Sequence, residues 1–153
     1  MLREKLRNKK GFTLIEIIVV IVILAVLMAV AVPSVMSYMN EGQKAKYQAV
    51  ARTVLVNAQT EYAKAVANGE TIANAKKTAQ DATDTDGKKH SYGDKVVVAS
   101  TTITTTPTSA TVAEDTDVSK VTCNITIDGK TKTGVEITPN KKVTVPDATT
   151  DAS

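Results

Sequence analysis

Residues 17–32 are sixteen consecutive apolar positions, with Val, Ile, Leu, Ala and one Met and no charge among them. A helix that is apolar all round cannot form the surface of a water-soluble domain; it must be covered by lipid or by other apolar chain. With its flanks, the segment 12–35 reaches roughly 36 Å as a helix, against about 30 Å for the hydrocarbon core of a bilayer. Its N-terminal border is unusual. Lys9-Lys10-Gly11-Phe12-Thr13-Leu14-Ile15 leads to Glu16, a carboxylate at the mouth of the uncharged run. The rest of the chain reads as something this segment carries.

The formal net charge is +3, but residues 1–11 hold five Lys and Arg against Glu4, so this leader carries +4 and the remaining chain is formally −1. The basic balance is thus a property of the leader and gives no support to nucleic-acid binding. Positive residues beside a hydrophobic segment stay in the cytoplasm, which predicts a cytoplasmic N-terminus and an external C-terminus. The single cysteine, Cys123, excludes an internal disulfide. With no Trp and only five aromatic residues, the part outside the membrane must pack a small Val, Ile and Ala core, which is marginal without assembly.

After Pro33, which removes a backbone donor and predicts a helix kink or local unwinding, the pattern becomes amphipathic. Tyr47, Ala51, Val54, Leu55, Ala58, Tyr62, Ala65 and Val66 recur at helical spacing, with Lys44, Lys46, Arg52, Glu61 and Lys64 mostly on other faces. Asn68-Gly69 is a stop signal. The spacing predicts one bent helix over residues 13–67, lipid-wrapped in its first half and laid against a soluble domain in its second. A short helix is expected over 71–82 and a loop over 84–93.

Beyond Asp94 the pattern is β: residues 95–106, ending at Pro107, then 118–127 with Val121, Cys123, Ile125 and Ile127 on one face, then apolar faces beginning at Val135 and Val143. A two-residue loop at Asp128-Gly129 pairs Ile127 with Lys130 and sets Ile125 on one face with Lys132. A three-residue loop over 127–129, with Gly129 left-handed, instead pairs Ile125 with Thr131 and Val121 with Val135, and that register is preferred. Residues 147–153 are a polar tail expected to fray. The fold class is α+β: a long N-terminal helix on a small antiparallel sheet. The expected division is leader 1–11, transmembrane or fibre-core helix 12–35, amphipathic half 36–67, globular part 68–146 and tail 147–153.

Gly11-Phe12-Thr13-Leu14-Ile15-Glu16 and the apolar continuation through Pro33 resemble the processing motif of type IV pilins and type II secretion pseudopilins, over residues 8–60. The resemblance implies a pilin-like fold, cleavage between Gly11 and Phe12 by a prepilin peptidase, N-methylation of Phe12, and Glu16 guiding subunits into a helical fibre. It implies a homo-oligomeric filament, an inner-membrane assembly platform and an ATPase, with lipid as the partner before assembly; the residues themselves lead us to expect no cofactor and no metal. Pro33 matches a family position of local helix unwinding. Thr53 stands where some members have a second proline, and the paired C-terminal cysteines of many members are missing. Independently of any family, a carboxylate deep in a bilayer costs about 2.5–3.5 kcal/mol. The cation that cleavage would create beside it is the α-amine of Phe12, its own or a neighbour's.

The same residues allow other readings. Within the family, the alternative is a pseudopilin of type II secretion or of competence, and DNA is a partner in the competence case alone; adhesion and motility are further fibre roles. Ala29-Val30-Ala31 resembles a signal-peptide cleavage site, which would release a secreted binding module, and a plain single-pass anchor needs no processing. His90 is expected to be solvated and Cys123 to be a core residue. Asp81, Asp84 and Asp86 fail the spacing of a calcium loop, and Asn124-Ile125-Thr126 is a formal glycosylation sequon in a strand. No nucleophile–base pair or phosphate-binding loop is present, so the chain is not expected to be an enzyme.

Overall fold

A computed structural model describes residues 11–87, 89–106, 116–140, 142–147 and 150–151. The basic leader up to Lys10, Pro107 as a strand terminator, and most of the polar tail lie outside the described residues. The chain divides into two units, one ending at Gly42 and one comprising Gln43–Ser153. Helix α1, Leu14–Ala67, contributes to both, and its helical assignment continues through Pro33.

In the first unit every described side chain is exposed. Even the least exposed of its large apolar residues, Ile18, is 43% accessible. The sequence offers no polar face here, so no water-facing orientation satisfies the helix.

In the second unit the rest of α1 does show two faces. Tyr47, Ala51, Val54, Leu55, Ala58, Tyr62 and Ala65 are buried, with Val66 packed at the margin. The helix ends as Asn68-Gly69 requires. Gly69 takes φ 78°, its N–H donates to the Val66 carbonyl at 2.9 Å, and the Glu70 N–H donates to the Ala65 carbonyl at 3.1 Å. These two bonds form a Schellman motif, which needs a residue at ease in the left-handed region. Helix α2, Ile72–Thr83, follows at once, capped by Thr71, whose hydroxyl accepts from the Asn74 N–H. It buries Ala75, Ala79 and Ala82 and lies along β1. The expected loop after it contains a single 3-10 turn, Thr85–Gly87.

The sheet comprises β1 (Val96–Thr106), β2 (Asp117–Ile127), β3 (Lys130–Ile137) and β4 (Val143–Thr144) in that order, all antiparallel. Its inner face supplies Val98, Ile103, Val118, Val121, Cys123, Ile125, Val135, Ile137 and Val145 to one core shared with both helices. The expected α+β class, a long helix with a small antiparallel sheet, is what the structure has. The tail differs from its expected fraying: β5, Thr150–Asp151, returns to pair with β3.

The hairpin register also differs. Ile127 pairs with Lys130 across a two-residue loop, and Asp128 (φ 51°) and Gly129 (φ 80°) both adopt the left-handed values of a primed turn. The parity conflict is real but is resolved further along the strand. Between Cys123 and Ile125 the register shifts by one residue, so that Cys123 faces Val135 and Val121 faces Ile137. Gly134, at φ 68°, stands in this bulge, and its N–H donates to Asn124 Oδ1 at 3.0 Å. One extra residue returns Val135 and Ile137 to the core. Two further shifts between β1 and β2 explain why Val98 and Thr101, and likewise Val118 and Val121, are both buried three residues apart.

Because a branched side chain resists the left-handed region, Gly134→Val is expected to destabilise the fold by about 1–2 kcal/mol. Gly134→Asn, which tolerates that region, should cost clearly less. Thermal unfolding of the two variants beside the parent chain in detergent checks the order.

Candidate functional site

Two constellations stand out, one in each unit. The first is at the N-terminal border of α1. Gly11, Phe12 and Thr13 have no regular secondary structure, and the helix starts at Leu14. Thr13 is the cap. Its carbonyl accepts from the Glu16 N–H at 3.1 Å and from the Ile17 N–H at 3.3 Å, and its Oγ1 shares the Glu16 N–H at 3.3 Å. Glu16 reciprocates, with Oε2 accepting from the Thr13 N–H at 3.4 Å. Thr-Leu-Ile-Glu therefore forms a capping box, in which each side chain accepts from the other residue's backbone N–H at the helix end. The carboxylate also lies in the first turn, where the helix dipole favours a negative charge.

The structure thus brings together Thr13 and Glu16, with Phe12 next to the cap and Gly11 beyond it. It places Pro33 nineteen residues into α1. Sequence reasoning singled out Glu16 and treated Thr13 as part of a motif string. The signal for its role was present, since a Thr three residues before a Glu at the head of an apolar run is the sequence form of this cap. A Cβ built on Gly11 meets no atom within 4 Å among the described residues, so the fold itself makes no steric demand for glycine there.

The second constellation corrects two expectations. Glu61, expected on an outer face, has a side chain only 1% exposed. Its spacing explains why: it follows Ala58 by three positions and precedes Ala65 by four, so it lies on the buried stripe of α1. Lys64 Nζ donates to Oε1 at 2.9 Å, Lys89 Nζ donates to Oε2, and His90 Nε2 lies 3.4 Å from Oε1. His90, expected to be solvated, has a side chain 23% exposed against this carboxylate. The hydrogen bond from Lys89 is the largest influence on Glu61; burial opposes it, Lys64 reinforces it, and the carboxyl is held down at about 2.

Three tyrosines bind the same region together. Tyr47 Oη donates to the Lys130 carbonyl at 2.7 Å, Tyr62 Oη pairs with Thr116 Oγ1, and Tyr92 Oη donates to the Thr83 carbonyl at 2.7 Å. Asp84 does no visible ligand work: its Oδ1 accepts from the Thr101 N–H at 3.0 Å, while Thr85 Oγ1 accepts from the Val98 N–H at 2.7 Å, on either side of the β1 bulge. Among the described residues no group of three or more His, Cys, Asp or Glu is placed to hold a metal. Cys123 is buried, and burial first, then the charge of Asp84, pushes its thiol up to about 12. A thiol held protonated in this way packs as a small core residue.

The fold is α+β and pilin-like, a long apolar N-terminal helix with a small antiparallel sheet. Residues 6–32 match the family model of the prokaryotic N-terminal methylation motif, and this supports the type IV pilin and pseudopilin family. That motif implies processing by a prepilin peptidase and assembly into a pilus-like filament, from a precursor anchored in the membrane. Comparison with curated proteins and with solved structures gave no match.

The depressed Glu61 carboxyl stabilises the fold in its charged form. That stability is complete above the ordinary carboxyl value of 4.5 and is lost as pH falls from there through about 2. Acid titrations followed by circular dichroism should show Glu61→Gln losing about 1–2 kcal/mol at pH 7 and flattening the acid limb.

Proposed function

We propose that the chain is a prepilin, cut between Gly11 and Phe12 and assembled through α1 as the structural subunit of an extracellular type IV pilus-like filament. The observation that carries this reading is the coincidence of the methylation motif over residues 6–32 with a helix whose apolar side chains are exposed all round. Such a helix is soluble neither alone nor as one face of a domain. Lipid before assembly and neighbouring copies afterwards are the two environments that would cover it.

In this reading the basic leader stays in the cytoplasm and the unit Gln43–Ser153 lies outside. Cleavage removes a strongly positive tail that a packed helix core would exclude, and it creates the Phe12 amine, which is then methylated. Glu16 pairs with the amine of a neighbouring subunit, which neutralises both charges and sets the axial register of one helix against the next. The capping bond does not exhaust the carboxylate, which has about four acceptor sites. Gly11 serves the peptidase, in keeping with the open space around it. Pro33 leaves the Ala29 carbonyl without its helical donor and is the point at which α1 unwinds on packing. The subunit itself has no catalytic role; an inner-membrane platform and an ATPase move it from lipid to fibre.

Intact-mass measurement of fibres sheared from cells is expected to give a chain beginning at methylated Phe12. A chain beginning at Val32 would show a conventional signal peptide, and one retaining Met1 a permanent anchor; either result ends the proposal. Glu16→Ala should insert and still be cleaved, with the Thr13 hydroxyl left as the cap, yet yield about tenfold fewer fibres or less, the scale of one lost charge-assisted bond. Quantitative blotting of the sheared fraction against the membrane fraction reads this out.

A further inference from the structure

The reciprocal Thr13–Glu16 hydrogen bonds have a consequence for processing as well as for the helix. A peptide bond inside an α-helix is a poor protease substrate, because its N–H and C=O are engaged in the ladder and the chain must open locally before it can be cut. At a membrane border the pressure towards helix is strong, since unpaired backbone groups are costly as water thins out. The apolar run drives helix formation, and Leu and Phe do not resist it. Some feature must therefore stop α1 from growing back towards residue 11.

Thr13 meets that need in three ways. Its hydroxyl accepts from the Glu16 N–H at 3.3 Å, a donor it shares with its own carbonyl at 3.1 Å; its N–H is taken by Glu16 Oε2 at 3.4 Å; and the helix begins one residue later, at Leu14. With the Thr13 N–H already paired to a side chain, continuing the helix backwards would cost that bond. Gly11 and Phe12 stay outside the helix. The bond between them ends two residues short of the first helical position.

We infer that Thr13 is a positioning residue for leader removal: by capping α1 it keeps the Gly11–Phe12 peptide bond outside the helix and open to the peptidase. This rests on the prepilin reading above. Thr13 would touch neither the cut bond nor the enzyme's reacting groups; it acts through the backbone on which that bond sits. It also explains economically why Thr and Glu are spaced by three. The same box that frees the scissile bond holds the Glu16 carboxylate ready at the helix end.

The test uses the full-length precursor in membranes with the prepilin peptidase of its host, following the initial rate of cleavage by gel shift. Thr13→Val keeps the shape of the side chain and removes the capping oxygen. It should slow cleavage roughly fivefold, the usual worth of one N-cap read as a rate. Thr13→Ser and Thr13→Asn both restore a capping oxygen, in quite different shapes, and should cleave at about the parent rate. Cleavage of Thr13→Val at the parent rate overturns the inference. So does a slow Thr13→Asn, which would mean that the peptidase reads the threonine side chain directly. A parent precursor that is not cut between Gly11 and Phe12 at all would instead overturn the prepilin reading.

Discussion

An apolar helix that its own chain does not cover sets the terms for everything else in this protein. The described side chains of the first unit are exposed throughout, and none of them carries a charge between Glu16 and Glu41. Burial of apolar area is the dominant favourable term in folding and association. A helix of this kind leaves that term unspent in the single chain. In the proposed precursor its first cover is lipid, and any later cover would have to match lipid without a net hydrophobic gain, through close packing and a few polar bonds. In the proposed filament a lone carboxylate at its head would matter for that reason: against a uniform apolar surface, it is one of the few features able to fix a register.

The second unit solves a different problem, that of building a stable body from small side chains without a crosslink. Its core is Val, Ile and Ala, supplemented by polar ties at the margins. Glu61 collects two lysines and a histidine, and thereby fastens the connection between α2 and β1 onto α1. Tyr47 fastens the β2–β3 hairpin to α1, and Tyr92 fastens the approach to β1 onto the end of α2. A buried carboxylate stripped of its cations would be costly, whereas one with cations reaching in from solvent is well satisfied. The lysines remain half exposed or more, so the arrangement avoids burying them with it.

Much of this was legible in the sequence, and the failures have physical causes. The helix limits, the second helix and the strand positions followed from period and stop signals, because long periodic segments leave little choice. The hairpin shows where such reasoning stops. The parity conflict between Ile127 and Val135 was readable, but a shift by one residue can be placed in the loop or in the strand. Only the primed turn at Asp128-Gly129, together with the left-handed Gly134, locates it. The charge of Glu61 argues for an outer face and its spacing for the buried stripe, and the spacing prevails because Lys89 and His90 reach it from a loop, where no periodicity tells which side chains turn inward. At the N-terminal site Glu16 was conspicuous as an isolated acid, whereas Thr13 was hidden by being ordinary. Its role is local hydrogen bonding, which shows as a spacing of three residues and not as an anomaly of composition.

The ties along α1 have a mechanical side. Tyr47 and Tyr62 sit fifteen residues apart, about 22 Å along the helix, with Glu61 beside the second. If the chain is the fibre subunit proposed above, tension along α1 is a load it would meet. Tension entering at Gln43 would then be carried by bonds spaced along the helix and loaded in parallel, in shear, instead of being unzipped from one end. The hairpin held by Tyr47 would then take the load first, and the sheet would spread it over β2 and β3. A domain with so slight a core can in this way be soft to heat or acid and still be hard to pull apart.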